Sequence, residues 1–252
     1  MIDLHSHILP GVDDGVRTVQ EALALARAAV ADGVRVLAAT PHVREDYPTS
    51  ADTMERLVAE VRDRLREESI PLDLRTGGEV ALDRLELLGE DEIRRFGLGG
   101  NPSYLLVEFP YVGWPLAVEQ QVAELKERGV TAVLAHPERN SDVQARPERL
   151  RGAVEAGALV QLTAASVDGR LGRPTRATAF ALLEHGLAHM VASDAHAPEL
   201  RAVGLRPATE AVGSPLAEWL TEGMPGAIVR GEPLPPAPPV EPRKRRRLSF
   251  RR

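Results

Sequence analysis

Two kinds of apolar stretch alternate along this chain. One spaces Ala, Leu and Val at three- and four-residue intervals, as in 19–32. The other is a short continuous run: VRVLAAT (34–40), TAVLAHP (131–137), LVQLTA (159–164) and HMVASDA (189–195). The first pattern predicts amphipathic helix, the second a strand buried on both faces. Thr18 and Glu21 form a capping-box signal ahead of 19–32, and Gly33 supplies its stop. The unit of helix, glycine and strand returns three times. A helix from Pro115, a favourable first helical residue, to 128 precedes Gly129 and the strand 131–137. Helix 147–156 precedes Gly157 and 159–164; helix 174–185 precedes Gly186 and 189–195. MIDLH (1–5), LDLRTGGEV (72–80) and YLLVEF (104–109) bring the strands to seven, and helices near 51–68, 82–95 and 207–220 fill the remaining gaps.

Continuous apolar strands alternating with helices imply an α/β fold with a helix-covered parallel sheet. Seven such units suit a distorted seven-stranded, TIM-like (β/α)7 barrel better than an open sheet. An open doubly wound sheet would show a Gly-rich phosphate loop after its first strand, and none is present. In a βα barrel the chemistry sits at the strand C-termini. From about 232 the composition changes: PLPPAPPVEP reads as an extended spacer and RKRRRLSFRR (243–252) as a basic end. We therefore expect one domain over 1–231 and a disordered, unpacked tail, Pro-rich then Arg-rich, over 232–252.

Composition narrows the chemistry. Among 252 residues, 43% are hydrophobic and 27% charged, enough for a full core. Asp3 and His5 follow Met1 at once, so no signal peptide is expected, and no apolar run approaches the ~20 residues of a membrane span. A cytoplasmic protein is expected. With no cysteine, disulfides, thiolate ligands and Cys-nucleophile chemistry are excluded. The net charge of −6 hides an asymmetry: without the seven Lys/Arg of 243–252, the body has 24 Lys/Arg against 37 Asp/Glu, a net of −13. An acidic body argues against a nucleic-acid footprint.

Metal-ligand residue types recur at the ends of the expected strands. They are His5 and His7, Asp13 or Asp14, His42, Glu79, Glu108, His136, then Asp194 and His196. One ion takes three or four protein ligands, so nine positions suit two or three ions sharing a carboxylate. All-N/O ligands with this much His favour manganese, iron or zinc over magnesium or calcium alone. Glu79 in GGEV is unremarkable by itself. Glu108 in LLVEF is a stronger signal, because a buried carboxylate needs a partner. His185 and His189 flank Gly186 and read as structural. Arg139 and Arg201 lie just beyond ligand residues. Each reads as a phosphate clamp, with a salt bridge to a ligand carboxylate as the competing role; Arg44 is a third candidate. Tyr47, Phe109, Tyr111 and Trp114 cluster after two strands. Tyr111 and Trp114 are candidate walls for an aromatic substrate group, with loop packing the competing role.

Together MIDLHSHILPGVDDG, TPHV, GGEV, LVEFP, AHPER and ASDAH resemble the PHP (polymerase and histidinol phosphatase) superfamily. Within it they are similar to the bacterial metal-dependent tyrosine-protein phosphatases of capsule and exopolysaccharide loci, the CpsB/CapC/YwqE type. The resemblance spans about residues 1–230 and implies the PHP barrel with three metals, often manganese. It implies a first ion on His5, His7, Glu79 and Asp194, and a second on Glu79, Glu108 and His136. The third would take His42, His196 and one aspartate of the Asp13–Asp14 pair; Asp14, preceding the glycine of the D-G turn, is preferred. Arg139 and Arg201 match the family's phosphate-contacting arginines. The implied activity is hydrolysis of phosphotyrosine in protein, on a bacterial tyrosine kinase that controls capsule synthesis. Rival readings are a histidinol-phosphate phosphatase, whose members often carry His where this chain has Glu108 and Asp14, a polymerase-associated nuclease, and a non-enzymatic scaffold for such a kinase. Homo-oligomerisation is left open. The family pattern does not account for the basic tail, which reads either as a solvated end or as a weak tether to an anionic membrane.

Overall fold

A computed structural model describes residues 1–198 and 204–239. Nine short strands carry the described fold: β1 (Ile2–Asp3), β2 (Val36–Ala38), β3 (His42–Val43), β4 (Asp73–Arg75), β5 (Glu79–Ala81), β6 (Tyr104–Glu108), β7 (Thr131–Ala135), β8 (Leu159–Thr163) and β9 (Met190–Ala192). They pair in parallel throughout, in two sheets ordered β1-β2-β4 and β3-β5-β6-β7-β8-β9. The fold is thus α/β with parallel sheets, in nine short strand segments where seven strands were expected. Two of the expected strands are broken. Ala39-Thr40-Pro41 separates β2 from β3, and Thr76-Gly77-Gly78 separates β4 from β5. At the first break Thr40 turns its hydroxyl to the Ser6 backbone, accepting its N–H at 3.1 Å. At the second, the chain runs so close to Phe96 that a Cβ on Gly78 would lie 2.5 Å from the ring. The two sheets stay joined beyond β1 and β9, where Ser6 and Ala195 form a parallel bridge and Asp194 N–H donates to His5 C=O at 2.9 Å.

Helices cover the strands. α1 (Val19–Asp32) starts at the expected capping box, with Thr18 accepting from Glu21 N–H, and stops at Gly33, whose φ is 95°. α2 (Ala51–Glu67) follows, capped by Ser50. The expected helix 82–95 is instead a 3₁₀ turn, Leu82–Arg84, and a short α3 (Glu90–Arg95) that begins after Gly89. α4 (Val118–Glu127) starts three residues beyond Pro115. Two helices, α5 (Ser141–Ala145) and α7 (Ala164–Asp168), have no counterpart in the expected set; α6 (Arg151–Ala156) is preceded by a 3₁₀ turn from Pro147. α8 (Arg173–Glu184) lies where expected. The stretch 207–220 divides at Gly213 into α9 (Leu205–Val212) and α10 (Leu216–Glu218); a π-turn leads on to α11 (Met224–Arg230).

Alternation along each strand builds two cores. On β6, Leu105 and Val107 join the large helix-facing core. Leu106 joins a smaller cluster with Ile2, Leu4, Ala38, Val133 and Met190, closed by Leu98, Met224 and Ile228. That second core draws on strands of both sheets. Glu108, two residues beyond Leu106, continues the same face towards the strand C-termini. The functional groups therefore stand on an apolar floor.

The start of the expected unpacked tail is packed. Trp219 Nε1 donates to the Pro235 carbonyl at 3.1 Å, and Leu234, Pro235 and Ala237 line an apolar recess with Leu159 and Met224. Residues 240–252, with the basic decapeptide, and 199–203, with Arg201, lie outside the described residues. Among the described residues no helix is long and apolar enough to cross a membrane.

Candidate metal centre

The strand breaks and strand ends converge on one buried site. His5 and His7 follow β1, Glu108 ends β6, His136 follows β7, and Asp194 and His196 follow β9. His42 and Glu79 instead open β3 and β5, just past the two breaks, where they pair in register. Two site residues have left-handed backbones: His136 at φ 40° and Asp194 at φ 54°. His and Asp tolerate that region better than most residues, but each such position still costs about 1–3 kcal/mol.

His5 Nε2 and His7 Nε2 are 3.3 Å apart. Each lies 3.4 Å from Glu79 Oε2 and 3.4–3.5 Å from Asp194 Oδ1. His5, His7 and Asp194 form one group able to hold an ion, and Glu79 faces the same two ring nitrogens. Glu79 is shared: its other oxygen, Oε1, meets His136 Nε2 at 2.8 Å. A further group joins His7, Asp14, His42 and His196, with Asp14 Oδ1 3.4 Å from His42 and 3.2 Å from His196. Glu108 groups with His42 and Glu79, and His136 groups with His5 and Glu79. The expected trio of Glu79, Glu108 and His136 is thus split across two groups that share Glu79.

Asp13 has a different place from its neighbour. Its Oδ2 meets His7 Nδ1 at 2.8 Å and accepts His42 N–H at 3.1 Å, while its Oδ1 accepts Gly15 N–H. The turn is tight, since a Cβ on Gly15 would sit 2.2 Å from the His7 carbonyl oxygen. Gln161, from the middle of β8, accepts from His5 Nδ1 at 3.0 Å. It was absent from the expected site, although a lone amide in the apolar run LVQLT was a visible signal. Both contacts put the proton on Nδ1 and turn the Nε2 lone pair inward.

The donor set fits divalent cations. Glu79 Oε2 and His42 Nδ1 are 2.9 Å apart and buried, yet neither has a hydrogen-bond partner among the described residues. A buried carboxylate oxygen facing ring nitrogens at this range calls for a cation. The charges agree. Burial opposes ionisation of Glu79, but His5, His136 and His42 outweigh it and hold the carboxyl well below its usual range. Asp194 is held low in the same way by His5 and His7 against burial, and Asp14 by His196 and His42. His42 is raised to about 9, because Asp14 and Glu79 overcome its desolvation.

Two arginines bind the outer oxygens of ligand-type carboxylates. Arg139 donates to Asp194 Oδ2 at 2.7 Å and Arg44 to Glu108 Oε1 at 3.1 Å. Both therefore make the carboxylate salt bridge that competed with the clamp role. Arg139 also lies over the Tyr111 ring, 4.7 Å from its centroid, and that ring stacks on His136 at 5.6 Å. Burial pushes the Tyr111 hydroxyl up to about 12. Trp114 packs edge-on against Phe109 and under Arg149. His185 caps α8, and His189 accepts Val160 N–H, both structural as expected. The centre opens to solvent at half-exposed Asp14, beside a cleft of about 660 Å³ also lined by Arg17, Gln20 and His196.

Residues 1–223 match the family described as capsular polysaccharide synthesis, CpsB/CapC. The chain is 35% identical over 254 residues to tyrosine-protein phosphatase YwqE of Bacillus subtilis (strain 168), covering 98% of each protein. It is 34% identical over 200 residues to putative tyrosine-protein phosphatase CapC of Staphylococcus aureus, covering 78% of this chain and 77% of CapC. A crystal structure from work on YwqE of B. subtilis and CpsB of Streptococcus pneumoniae, described there as unique metal-dependent tyrosine phosphatases, superposes with a TM-score of 0.86. The two are 34% identical, over 97% of this chain and 100% of the other.

Proposed function

This chain belongs to the capsular polysaccharide synthesis CpsB/CapC family, and from that premise we propose that it hydrolyses phosphotyrosine in protein with bound metal ions. The observation that carries this reading is the buried pair His5 and His7, their Nε2 atoms 3.3 Å apart and each 3.4–3.5 Å from Glu79 Oε2 and Asp194 Oδ1, with Arg139 bound to Asp194. His5, His7, Glu79 and Asp194 would hold one ion. A second would be held by Glu79 with Glu108 and His136, and a third by Asp14, His42 and His196. Manganese suits these N/O donors first, then iron or zinc. Such ions supply an activated water at neutral pH and neutralise charge on the phosphoryl group.

The chain's own groups do the rest. Asp13 and Gln161 hold protons on His7 Nδ1 and His5 Nδ1, so both rings present a fixed Nε2 lone pair. Arg139, held by Asp194, keeps its remaining N–H groups for phosphoryl oxygens, with Arg201 as its partner clamp. The Tyr111 ring offers a face to the substrate phenyl ring. No cysteine is present, and the reading needs no covalent enzyme intermediate. Two supports favour a seven-stranded barrel beneath this site: each broken strand resumes beyond its kink, and Ser6 bridges Ala195.

The substrate we propose is a tyrosine kinase of capsule assembly, in the cytoplasm, with the basic C-terminus as a weak tether to anionic membrane. The carboxylates at Glu108 and Asp14 weigh against histidinol phosphate. Elemental analysis, paired with rates on a phosphotyrosine peptide and on histidinol phosphate, tests the proposal. Stoichiometric metal with peptide turnover supports it; full activity in exhaustively demetallated protein overturns it.

A further inference from the structure

Among the described residues, six large apolar side chains are more than a third exposed. Three of them, Tyr111, Val112 and Leu116, sit on the one loop that leaves the C-terminal end of β6, the strand that ends at Glu108. Val112 is 81% and Leu116 89% exposed. Single exposed apolar residues are ordinary, but a group on one rim marks a contact surface.

The loop bearing Val112 and Leu116 is fastened to the site. Asn140 Nδ2 donates to the carbonyls of Pro110 at 2.7 Å and Gly113 at 2.8 Å. Ser141 N–H donates to the Tyr111 carbonyl at 3.0 Å. Asn140 is itself buried, and its Oδ1 caps α5. It directly follows Arg139. The segment that positions His136 and Arg139 therefore also pins the aliphatic tip, which cannot fold down onto the core. Tyr111, on the same loop, stacks on His136 of the metal centre.

We infer that the Tyr111–Leu116 loop is a specificity surface that binds an apolar side chain close to the phosphotyrosine in the substrate polypeptide. This inference deepens the phosphatase reading and rests on it. Its occupant follows from continuity: a residue one to three places from a phosphotyrosine held at the metal centre is within about 3–10 Å along an extended chain. Val112 and Leu116 are highly exposed apolar groups on the same loop as the Tyr111 ring. Both side chains are more than four-fifths exposed, so both can be changed without disturbing the buried centre.

The test compares the metal-loaded protein with a double variant, Val112→Ser with Leu116→Ser. The substrates are free phosphotyrosine and two phosphotyrosine peptides, one with leucines and one with aspartates flanking the phosphotyrosine. The unchanged protein should prefer the leucine peptide roughly tenfold in kcat/KM, mainly through KM, as expected for one buried aliphatic contact. The variant should lose that preference and keep its rate on free phosphotyrosine. An equal preference in both proteins overturns the inference, as does an equal loss on free phosphotyrosine. A change confined to self-association or to vesicle binding, with the peptide preference intact, also overturns it and assigns the rim to a second copy or to lipid. Anisotropy with a labelled leucine peptide separates the two readings. If the unchanged protein binds that peptide, the variant does not, and neither hydrolyses any phosphotyrosine, the surface stands and the phosphatase reading falls. Turnover of free phosphotyrosine with no flank preference leaves the phosphatase and removes the surface.

Discussion

Asp13 Oδ2 lies 2.8 Å from His7 Nδ1, on the side of the ring away from the metal-facing Nε2. Its neighbour Asp14 points its Oδ1 at His42 and His196 instead. Two adjacent carboxylates thus have different neighbours, one bound to the back of a candidate ligand and one standing in a group able to hold an ion. Asp14→Ala should lower the bound-metal count, read by elemental analysis, together with the rate. Asp13→Ala should keep the count at saturating metal but weaken metal affinity about 10–100-fold, the usual effect of removing a ligand's orienting partner. Equal metal loss at saturation in both variants would show that the distinction is wrong.

Arg139→Ala should lose about 2–4 kcal/mol of transition-state stabilisation, comparable to one oxyanion donor. Its metal content should hold, because the Asp194 atom facing the histidines is Oδ1 and the arginine holds Oδ2. Steady-state kinetics beside metal analysis decides the matter. Loss of metal with the arginine would make it a support for Asp194.

Gly15→Ala should destabilise the fold by about 1–3 kcal/mol, the range for an overpacked site. The added methyl would meet the His7 carbonyl and Cβ, at 2.2 and 2.5 Å. Because the same turn carries Asp13 and Asp14, metal affinity should fall with stability. Unfolding by urea, with and without metal, measures both; an unchanged midpoint would mean the turn yields freely.

His189 gives a signed pH effect. Burial lowers its pKa from 6.5 to about 4 in the fold. As pH drops from 6.5 towards 4, the unfolded chain takes up a proton that the native state refuses. Stability is therefore lost over that window, by about 3 kcal/mol at its lower end. His189→Asn keeps an acceptor for Val160 N–H without the titration. The quantity to measure is the difference between the two proteins. The substituted protein should lose less stability between pH 7 and pH 4.5; equal losses would remove His189 as the cause.

Removing residues 240–252 should leave turnover of free phosphotyrosine unchanged and abolish sedimentation with anionic vesicles at low salt. Each Lys/Arg near such a surface contributes about 1 kcal/mol, screened over a Debye length of about 8 Å at physiological salt. The cut belongs after Pro239, since Leu234 and Pro235 are packed on the body. Equal vesicle binding by both lengths would leave the tail without a tethering role.

Much of this arrangement was legible in the chain. α1 is bounded by local signals, Thr18, Glu21 and Gly33, and each acts within a few residues of itself. Glu108 stood out because a carboxylate inside an apolar run must find a partner. The breaks in β2–β3 and β4–β5 were not legible. They depend on contacts between distant segments, Thr40 with Ser6 and Gly78 with Phe96. Those breaks place His42 and Glu79 at the openings of strands, not after them. For the same reason Asp13 and Asp14, equivalent by type, part only when the turn at Gly15 folds back over His7. Trp114 read equally well as wall or packing, and only the fold brings it against Phe109 and Arg149.

The Ser6–Ala195 bridge fixes a birth order for the centre. Asp3 accepts Ser193 N–H at 3.0 Å, and His7 N–H donates to Ala195 at 2.8 Å. Synthesis delivers His5 and His7 first, but the groups that complete their coordination arrive nearly two hundred residues later. Until β9 is made and docked, the early histidines have neither Asp194 nor His196 beside them. Contacts so distant along a chain are slow to close. A nascent or truncated chain ending before β9 therefore lacks Asp194 and His196, and loading of the sites that those two residues complete becomes a late step.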